Sequence, residues 1–226
     1  MATKYSPRIV TDGLILCLDA ANPKSYSGTG TTWYDVSGNG NHFTIQGNLT
    51  WSGSFGFSNF TGNSTGNGNK IYRSSFPTNL KTSQGGSGLT VMAWANSTAP
   101  SAWRKLIGNS DGENYIDLYQ HAGSPYGWAQ ECGATLYYGQ GVNTANNTYV
   151  INDGAWKCLW ATNLNSGGTS NPSYALTIGN EPNSSPNGAN AYPWVGNIAY
   201  VALYNRVLLM NEMIQNYNAV KRRFGL

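Results

Sequence analysis

The chain has 226 residues, of which 40% are hydrophobic, only 10% are charged and 28 are glycine, and its formal net charge is +3. This length suits a single all-β domain that buries a sizeable core. Lys221, Arg222 and Arg223 account for the positive excess. No basic face is evident, which argues against nucleic acid as a partner. Residues 36–69 and 182–205 carry no charged side chain, so neutral partners such as sugars or protein subunits are expected.

The start of the chain, Met1–Pro7, lacks the apolar segment of a secretory signal, and no transmembrane-length apolar run occurs in the sequence. We therefore expect synthesis in a cytoplasm without a signal peptide, and no association with a membrane. Residues 1–12 are predicted to form an N-terminal arm. The three cysteines, Cys17, Cys132 and Cys158, cannot all pair, which argues against a disulfide framework. Cys17 lies in an apolar run and is predicted to be a buried, inert thiol.

Short strand-like segments alternate with turns rich in Gly, Asn and Ser, a pattern typical of a two-sheet sandwich. The predicted strands are Gly13–Asp19, Gly53–Phe60, Leu89–Ala95, Lys105–Gly108, Tyr115–Tyr119, Thr135–Tyr138, Trp156–Thr162, Tyr174–Ile178 and Asn197–Tyr204.

Side-chain alternation along two of these strands predicts apolar faces, because every second residue of a strand points the same way. The groups are Leu89, Val91, Ala93 and Ala95 on one strand, and Ile198, Tyr200, Ala202 and Tyr204 on another. One open sheet cannot bury all of these faces, so two sheets are expected to pack face to face.

The last segment is the one convincing helix in the sequence. Apolar residues recur there at steps of three and four, which is the helical period; they are Met210, Met213, Ile214, Tyr217, Val220 and Phe224. We expect this closing helix, residues 210–224, to cover one end of the sandwich. The residues thus predict one all-β domain over 1–226: two antiparallel sheets packed as a sandwich, with one short C-terminal α-helix.

Two motifs carry a resemblance to a known family. The first comprises Gly13–Tyr26 (GLILCLDAANPKSY) and Gly30–Asn41 (GTTWYDVSGNGN), and the second is Gly196–Arg206 (GNIAYVALYNR) followed by the C-terminal Arg223–Leu226 (RFGL). Together they resemble the opening and closing segments of concanavalin A-like, laminin G-like jelly-roll domains found in virion proteins of tailed bacteriophages, particularly those that infect cyanobacteria.

Segments between the two motifs extend the resemblance over nearly the full length. Leu89–Trp94 resembles the central strand of these domains, and Asp153–Lys157 resembles the turn before a late strand. Trp33, Trp94 and Trp156 match strand or strand-edge positions and are expected in the core. The resemblance implies a jelly-roll sandwich of the concanavalin A-like lectin and glucanase type, located in a virion and synthesised in the host cytoplasm.

One departure from the family lies at the start of the closing helix. The family often has a small polar N-cap there, whereas this chain has Leu208, Leu209 and Met210, and losing such a cap costs about 1 kcal/mol. Two interpretations stay open. Either Asn211 caps a slightly shorter helix, or these apolar residues are buried against a neighbouring molecule.

Because some glycoside hydrolases share this fold, catalysis has to be considered. Retaining glycosidases need two carboxylates about 5 Å apart, and the candidate pair in this sequence is Glu113 with Asp117. The chain lacks the tight acidic cluster that glucanases of the family carry on one strand. We therefore expect a non-catalytic protein, with a polysaccharide-degrading hydrolase as the less favoured alternative.

Sugar binding needs exposed aromatic rings together with amide or hydroxyl groups around them. The segment 125–130 is expected to be a loop that presents two aromatic residues. The candidate sugar contacts are Trp103, Tyr126, Trp128, Tyr137, Tyr138 and Trp194. Tyrosine is also enriched in protein interfaces, so contacts with other subunits are the alternative for the same residues.

Calcium is the one metal that the resemblance implies, since laminin G-like domains often bind it through Asp side chains and loop carbonyls. Asp35 and Asp19 match acidic positions of the opening motif and are the candidate ligands. No cofactor is required by the sequence, and the alternative for Asp35 is a hydrogen bond within its own turn. His42 and His121 lack neighbouring ligands at metal-binding spacing, which argues against a zinc site.

These observations favour a non-catalytic phage virion structural protein, either a capsid decoration or a tail- or fibre-associated subunit. Its expected partners are other virion proteins and copies of itself, and a carbohydrate-binding face is expected to contact host surface glycans. A free-standing lectin is the principal alternative.

Overall fold

A computed structural model describes residues 8–61, 68–74, 88–97, 104–108, 116–120, 128–132, 135–138, 140–141, 154–163, 175–180 and 192–226. The strands in this part of the chain are β1 Leu14–Asp19, β2 Thr32–Trp33, β3 Phe43–Gln46, β4 Thr50–Trp51, β5 Phe57–Ser58, β6 Lys70–Arg73, β7 Leu89–Ser97, β8 Arg104–Gly108, β9 Ile116–Gln120, β10 Trp128–Cys132, β11 Thr135–Tyr138, β12 Gln140–Gly141, β13 Lys157–Asn163, β14 Leu176–Ile178 and β15 Gly196–Tyr204. A helix, α1, spans Met210–Val220, and 3-10 turns span Gly53–Phe55 and Lys221–Phe224.

The strands form two antiparallel sheets, which confirms the predicted β-sandwich of the jelly-roll type. The seven-stranded sheet has the order β12-β13-β7-β15-β5-β4, with β1 also paired to β15. The eight-stranded sheet has the order β11-β10-β9-β8-β14-β6-β3-β2. Side chains from both sheets meet in one buried core that includes Trp33, Phe43, Ile71, Leu118 and Val201.

The central strands β7 and β15 are buried on both faces. As predicted, Leu89, Val91, Ala93 and Ala95 share the face toward the eight-stranded sheet. The prediction for β15 is wrong at Ile198, which lies in that same inner core, whereas Tyr200, Ala202 and Tyr204 lie on the outer side. The reason is a register shift between Ile198 and Tyr200, because one extra residue reverses the alternation.

The helix α1 covers the outer face of the seven-stranded sheet, which corrects the expectation that it covers an end of the sandwich. Met213 and Val220 are buried against Met92, Trp94 and Tyr204 of that face. Met210 and Ile214, also predicted to belong to the buried stripe, are 53% and 40% exposed. The stripe is thus narrower than its sequence period suggests, since the helix lies flat on a sheet and contacts it along one line.

An aromatic stack anchors the end of the helix. The ring of Phe224 stacks on Trp94 at 4.7 Å and on Trp156 at 4.2 Å between ring centroids. Trp33 and Trp94 are fully buried, as predicted, whereas Trp156 is half-buried. Since such ring pairs contribute about 0.5–1.5 kcal/mol each beyond area burial, the stack holds the C-terminal turn on the sheet.

The helix starts without a polar cap, and the alternative in which Asn211 caps a shorter helix is wrong. Leu209 occupies the N-cap position, and its backbone N–H donates to Glu212 Oε2 at 2.8 Å. Arg206 donates to both oxygens of Glu212, at 2.8 and 2.6 Å. Glu212 therefore replaces the missing cap from inside the first turn.

The segment that precedes β1 packs on the helix. The Val10 N–H donates to the side-chain oxygen of the buried Asn216 at 2.7 Å, and Gln215 Nε2 donates to the Arg8 carbonyl at 2.7 Å. Residues 8–10, which belong to the predicted arm, are thus fixed to α1. Within the described ranges, no helix has the length and apolar character needed to cross a membrane.

Replacing Glu212 with Gln is expected to lower the free energy of unfolding by about 1 kcal/mol near neutral pH, a value typical of a solvated ion pair plus a cap. The Arg206 guanidinium holds the pKa of Glu212 at about 2, below its ordinary 4.5. A depressed folded-state pKa stabilises the fold fully above 4.5, and this contribution is lost as the pH falls toward 2.

Urea unfolding over that pH range measures the difference between wild type and Glu212→Gln. The two curves should converge at the acidic end. Asp12→Asn is the matched control, because Asp12 contacts the same Arg206 but is 85% exposed. An equal loss of stability from both variants would contradict the capping role of Glu212.

Candidate functional site

The outer face of the eight-stranded sheet is polar, in contrast to the helix-covered face of the other sheet. Phe43, Ile71 and Leu118 point into the core, so alternation places their neighbours on the opposite side. We call this surface the polar face; its described side chains are Thr32, Thr44, Gln46, Lys70, Tyr72, Lys105, Tyr119 and Thr177. It holds two of the chain's few charged side chains, although Lys70, Lys105, Tyr119 and Thr177 are all buried.

The centre of the polar face is closely packed, and one flank is accessible. Thr177 is fully buried, with its Oγ1 3.1 Å from the Gly108 carbonyl and 2.6 Å from the Asn180 carbonyl. Lys70 Nζ lies 5.5 Å from the centroid of the Tyr72 ring, and burial lowers the pKa of Lys70. Thr44 is exposed and Tyr72 is half-buried. The face thus combines a rigid interior with accessible hydroxyl and aromatic groups.

Two acidic residues occupy opposed positions on the polar face. In the antiparallel register of β9 and β10, Asp117 stands directly opposite Glu131. Leu118 faces the core, so positions 117 and 131 belong to the other side. Residues paired in this way have Cβ atoms about 4.5–5.5 Å apart. The sequence favoured Glu113 as the partner of Asp117, and Glu113 lies outside the described residues.

Strand β10 explains why the pair was missed. Residues 125–130 were expected to form a loop, but a strand begins at Trp128. Glu131 therefore has a fixed strand neighbour rather than a turn position. The segment WAQEC does not alternate apolar and polar residues, so no periodicity in the sequence marked it as a strand.

The structure brings three predicted sugar contacts together at one edge of the eight-stranded sheet. Trp128 begins β10, and Tyr137 and Tyr138 belong to the edge strand β11. Tyr138 pairs with Ala129 and Tyr137 with Gln130, so position 138 belongs to the polar face and position 137 to the opposite face. Trp103 and Tyr126 lie outside the described residues.

Trp194 is not available to a sugar, which corrects its prediction as a binding residue. It is 1% exposed and belongs to the core between the sheets. Its Nε1 donates to the Asn96 carbonyl at 2.9 Å, and its backbone N–H donates to the Gly179 carbonyl at 2.9 Å. These two bonds fix the uncharged segment before β15 to the sandwich. The Trp194 ring is buried there and has no face open to solvent.

Asp35 organises the turn that follows β2, as the turn alternative predicted. Its Oδ1 accepts from the backbone N–H groups of Cys17 and Ser37, both at 2.9 Å. Its Oδ2 accepts from Ser37 Oγ at 2.8 Å and from the Asn41 N–H at 2.9 Å. Four donors therefore already occupy the carboxylate that was the first candidate calcium ligand.

Asp19, the second candidate ligand, forms an ion pair with the C-terminal turn. Arg223 donates to both of its oxygens, at 2.7 and 2.9 Å. His42 uses its Nδ1 to accept the Asp35 N–H at 3.0 Å. In the described part of the chain, no group of three or more His, Cys, Asp or Glu side chains is arranged to hold a metal ion.

Burial agrees with the expectation for Cys17. It is 2% exposed, and desolvation raises the pKa of its thiol to about 12. Cys158 is also buried. Thiolate chemistry at neutral pH is therefore disfavoured at both positions.

Among the residues that the structure describes, three exposed aromatic side chains lie outside the predicted set. Tyr34, Trp51 and Phe55 are 48%, 37% and 44% exposed. Trp51 and Phe55 lie among Asn, Ser and Gly residues without a distinctive motif, and Tyr34 lies in the opening motif, where only its neighbours Trp33 and Asp35 were singled out. They are further candidate contact residues, in addition to those of the polar face.

No protein-family model and no curated protein matches this chain. Solved structures do match. A mutant Trypanosoma rangeli sialidase that displays trans-sialidase activity has a TM-score of 0.59 at 16% identity, over 96% of this chain and 34% of the sialidase. Botulinum neurotoxin type C, whose cell entry depends on interaction with two ganglioside molecules, has a TM-score of 0.61 at 13% identity, over 93% of this chain and 52% of the toxin chain.

The binding domain of botulinum neurotoxin DC, solved in complex with rat synaptotagmin II, matches with a TM-score of 0.60 at 10% identity, over 93% of this chain and 52% of that domain. The chain thus spans from about a third to about half of these proteins. At such low identity the similarity establishes a shared β-sandwich fold.

Replacing Asp35 with Asn is expected to destabilise the fold by about 2–3 kcal/mol, because the amide nitrogen would face donors that now bind a carboxylate oxygen. Thermal unfolding measures the loss, and the exposed Asp12→Asn is the matched control. Adding calcium to the wild type should leave the unfolding temperature unchanged. A calcium-dependent rise that disappears in Asp35→Asn would instead identify Asp35 as a metal ligand.

Proposed function

We propose that this protein is a non-catalytic glycan-binding and structural module of a tailed-phage particle, which contacts sugars through the polar face. The main support for the proposal is that the outer faces of the two sheets differ in what covers them. Helix α1 seals one with apolar side chains, while the other carries Thr44, Tyr72 and the positions of Asp117 and Glu131. Hydroxyl, aromatic and carboxylate groups on one surface are the groups that recognise sugar hydroxyls and ring faces.

Fold neighbours support the glycan part of the proposal. One is a sialidase and another enters cells through gangliosides, so related sandwiches occur in proteins that act on or bind glycans. Because the fold alone does not specify function, the weight rests on the polar face. In this proposal Tyr138, which occupies a polar-face position on the edge strand of the same sheet, extends the contact surface.

Assembly into a particle is supported by the resemblance of both chain ends to virion domains and by an exposed apolar patch. We call this patch the helix patch; it consists of Leu209, Met210 and Ile214, which are 64%, 53% and 40% exposed. Exposed apolar clusters of this kind mark protein interfaces. The second interpretation of the helix start, burial against a neighbouring molecule, is therefore the one we propose.

The opposed carboxylates favour a second candidate function, a glycoside hydrolase. Positions 117 and 131 are directly opposed in the register, a placement that gives Cβ atoms about 4.5–5.5 Å apart, and a retaining mechanism needs two carboxylates about 5 Å apart. Asp117 and Glu131 would supply the nucleophile and the general acid. We prefer the binding role because the same two carboxylates can equally accept hydrogen bonds from sugar hydroxyls.

A glycan array followed by titration calorimetry tests the binding role. The wild type should select particular glycans with at least micromolar affinity, and Tyr72→Ala should weaken binding about tenfold, or about 1.4 kcal/mol. Asn211→Ala, exposed on the helix of the opposite sheet, is the control and should bind normally. A wild type that binds no glycan would refute the proposal.

Turnover of the selected glycan distinguishes the hydrolase from the binding module. Incubation with the wild type should release no new reducing ends. Release that is abolished in the double variant Asp117→Asn, Glu131→Gln would establish catalysis, because amides can serve neither as nucleophile nor as acid.

Mass spectrometry and cryo-electron microscopy of native particles test the virion role, and we expect the protein in purified virions. Ile214→Glu should reduce incorporation at least tenfold by placing a charge in the helix patch, with no change in unfolding temperature. Asn211→Glu adds the same charge beside the patch and should incorporate normally. Particles that are identical with and without the protein would contradict this role.

A further inference from the structure

Trp51 is an exposed indole at the end of the seven-stranded sheet opposite β12. It belongs to β4, which ends the seven-stranded sheet next to β5. Both residues of β4 are exposed, and Trp51 leaves 37% of its surface to solvent. A tryptophan is usually buried to a greater extent than this because its large apolar surface favours the interior. Its exposure on a two-residue strand therefore needs an explanation.

The indole is held in one orientation by contacts on several sides. Its Nε1 donates to the Ala20 carbonyl at 3.3 Å, and the Tyr26 ring meets it edge-on at 5.5 Å between centroids. Tyr26 is itself buried against Phe57. The ring is thus tied to the core through Tyr26, and its donor is already used inside the protein.

Gly28 provides the surface against which the six-membered ring of the indole lies. A Cβ atom at this glycine would come within 2.9 Å of Cζ3 and 3.1 Å of Cη2 of Trp51. The backbone of Gly28 also has a φ of +95°, which L side chains rarely adopt. Both features require glycine, so the local chain is built to let the indole lie close to the backbone.

Two short hydroxyl side chains flank the glycine that contacts the indole. They are Ser27 and Thr29, and both are exposed. Residues 36–69 carry no charged side chain. Ser27 and Thr29 can therefore offer hydrogen bonds, and Asp19, next to the Ala20 that accepts the indole N–H, is already paired with Arg223.

We propose that Trp51 forms a second sugar-binding site, which stacks on the apolar face of a neutral pyranose ring. A fixed aromatic ring with hydroxyl groups at its rim is the arrangement by which proteins hold such ligands, with orientation set by a few polar groups. Preorganisation by Ala20, Tyr26 and Gly28 lowers the ordering cost of binding. This site lies on the other sheet from the polar face and goes beyond the function proposed above.

The location of the site distinguishes it from a protein-docking surface. Trp51 is a single ring beside the Gly28 turn, whereas the helix patch joins three apolar side chains, one at the N-cap and two on α1. Protein interfaces need about 800 Å² per partner, far more than one partly exposed indole supplies. A monosaccharide is of a size that one ring can cover.

Fluorine NMR of protein labelled with 5-fluorotryptophan tests the proposal directly. The Trp51 resonance is assigned from its loss in Trp51→Phe. Methyl α-D-glucopyranoside and methyl β-D-galactopyranoside serve as neutral probes, and 3′-sialyllactose serves as an anionic one. We expect a saturable shift of the Trp51 resonance with at least one neutral probe in the millimolar range.

Two variants identify the site, and circular dichroism confirms that each is folded. Trp51→Ala should weaken binding of the responsive probe at least fivefold, and Gly28→Ala should weaken it too by displacing the indole. Tyr72→Ala, on the polar face, should leave the Trp51 shift unchanged. A Trp51 resonance that does not respond to any neutral probe would overturn the proposal.

The outcomes separate this site from the polar face. If glycan binding depends on Tyr72 but the Trp51 resonance never moves, the second site is wrong and the proposed function stands. If Trp51 responds while Tyr72→Ala has no effect on any glycan, the polar face is wrong and the Trp51 site stands. A shift with 3′-sialyllactose alone would overturn the assignment of a neutral ligand.

Discussion

Burial of β7 and β15 on both faces is the constraint on which the rest of the structure depends. Each strand packs one row of side chains against the eight-stranded sheet and the other row beneath α1. Polar groups on these strands therefore need partners inside the protein, as Thr90 shows by bonding the Arg206 carbonyl and the Leu208 N–H, both at 2.9 Å. Because the helix occupies one outer face, ligands are restricted to the opposite face, the edges and the loops.

The few charges near the helix serve mainly to fasten it. Asp19 binds Arg223 and Glu212 binds Arg206, while the uncharged Asn216 joins Val10 to Tyr204. Isolated surface ion pairs contribute little, but these pairs are bidentate and sit at the two ends of one element. They fix the position of a helix whose apolar stripe is narrow, and in doing so they remove Asp19 from any metal site.

Sequence patterns predicted those parts of the fold in which local alternation and burial agree. The side chains of Leu89–Ala95 point alternately to the inner and outer face without a bulge, and the inner ones are those that the sequence grouped on one face. The pattern failed at Ile198, because a register shift is set by the partner strand rather than by the residue itself. It failed again at Trp128, where Gly and Pro nearby favoured a loop although the strand is stabilised by β9 and β11.

Site prediction was limited by the same dependence on partners. Asp35 binds donors from its own turn, Ser37 and Asn41, as the turn alternative predicted, but the Cys17 N–H from β1 is a partner that the local sequence could not show. Glu131 became a candidate only when the register set it opposite Asp117. Two proposed sugar sites on different sheets also have a physical consequence. Each is weak alone, yet a particle that displays many copies multiplies their affinity through effective concentration, so a charge-poor surface can still hold a glycan-coated cell firmly.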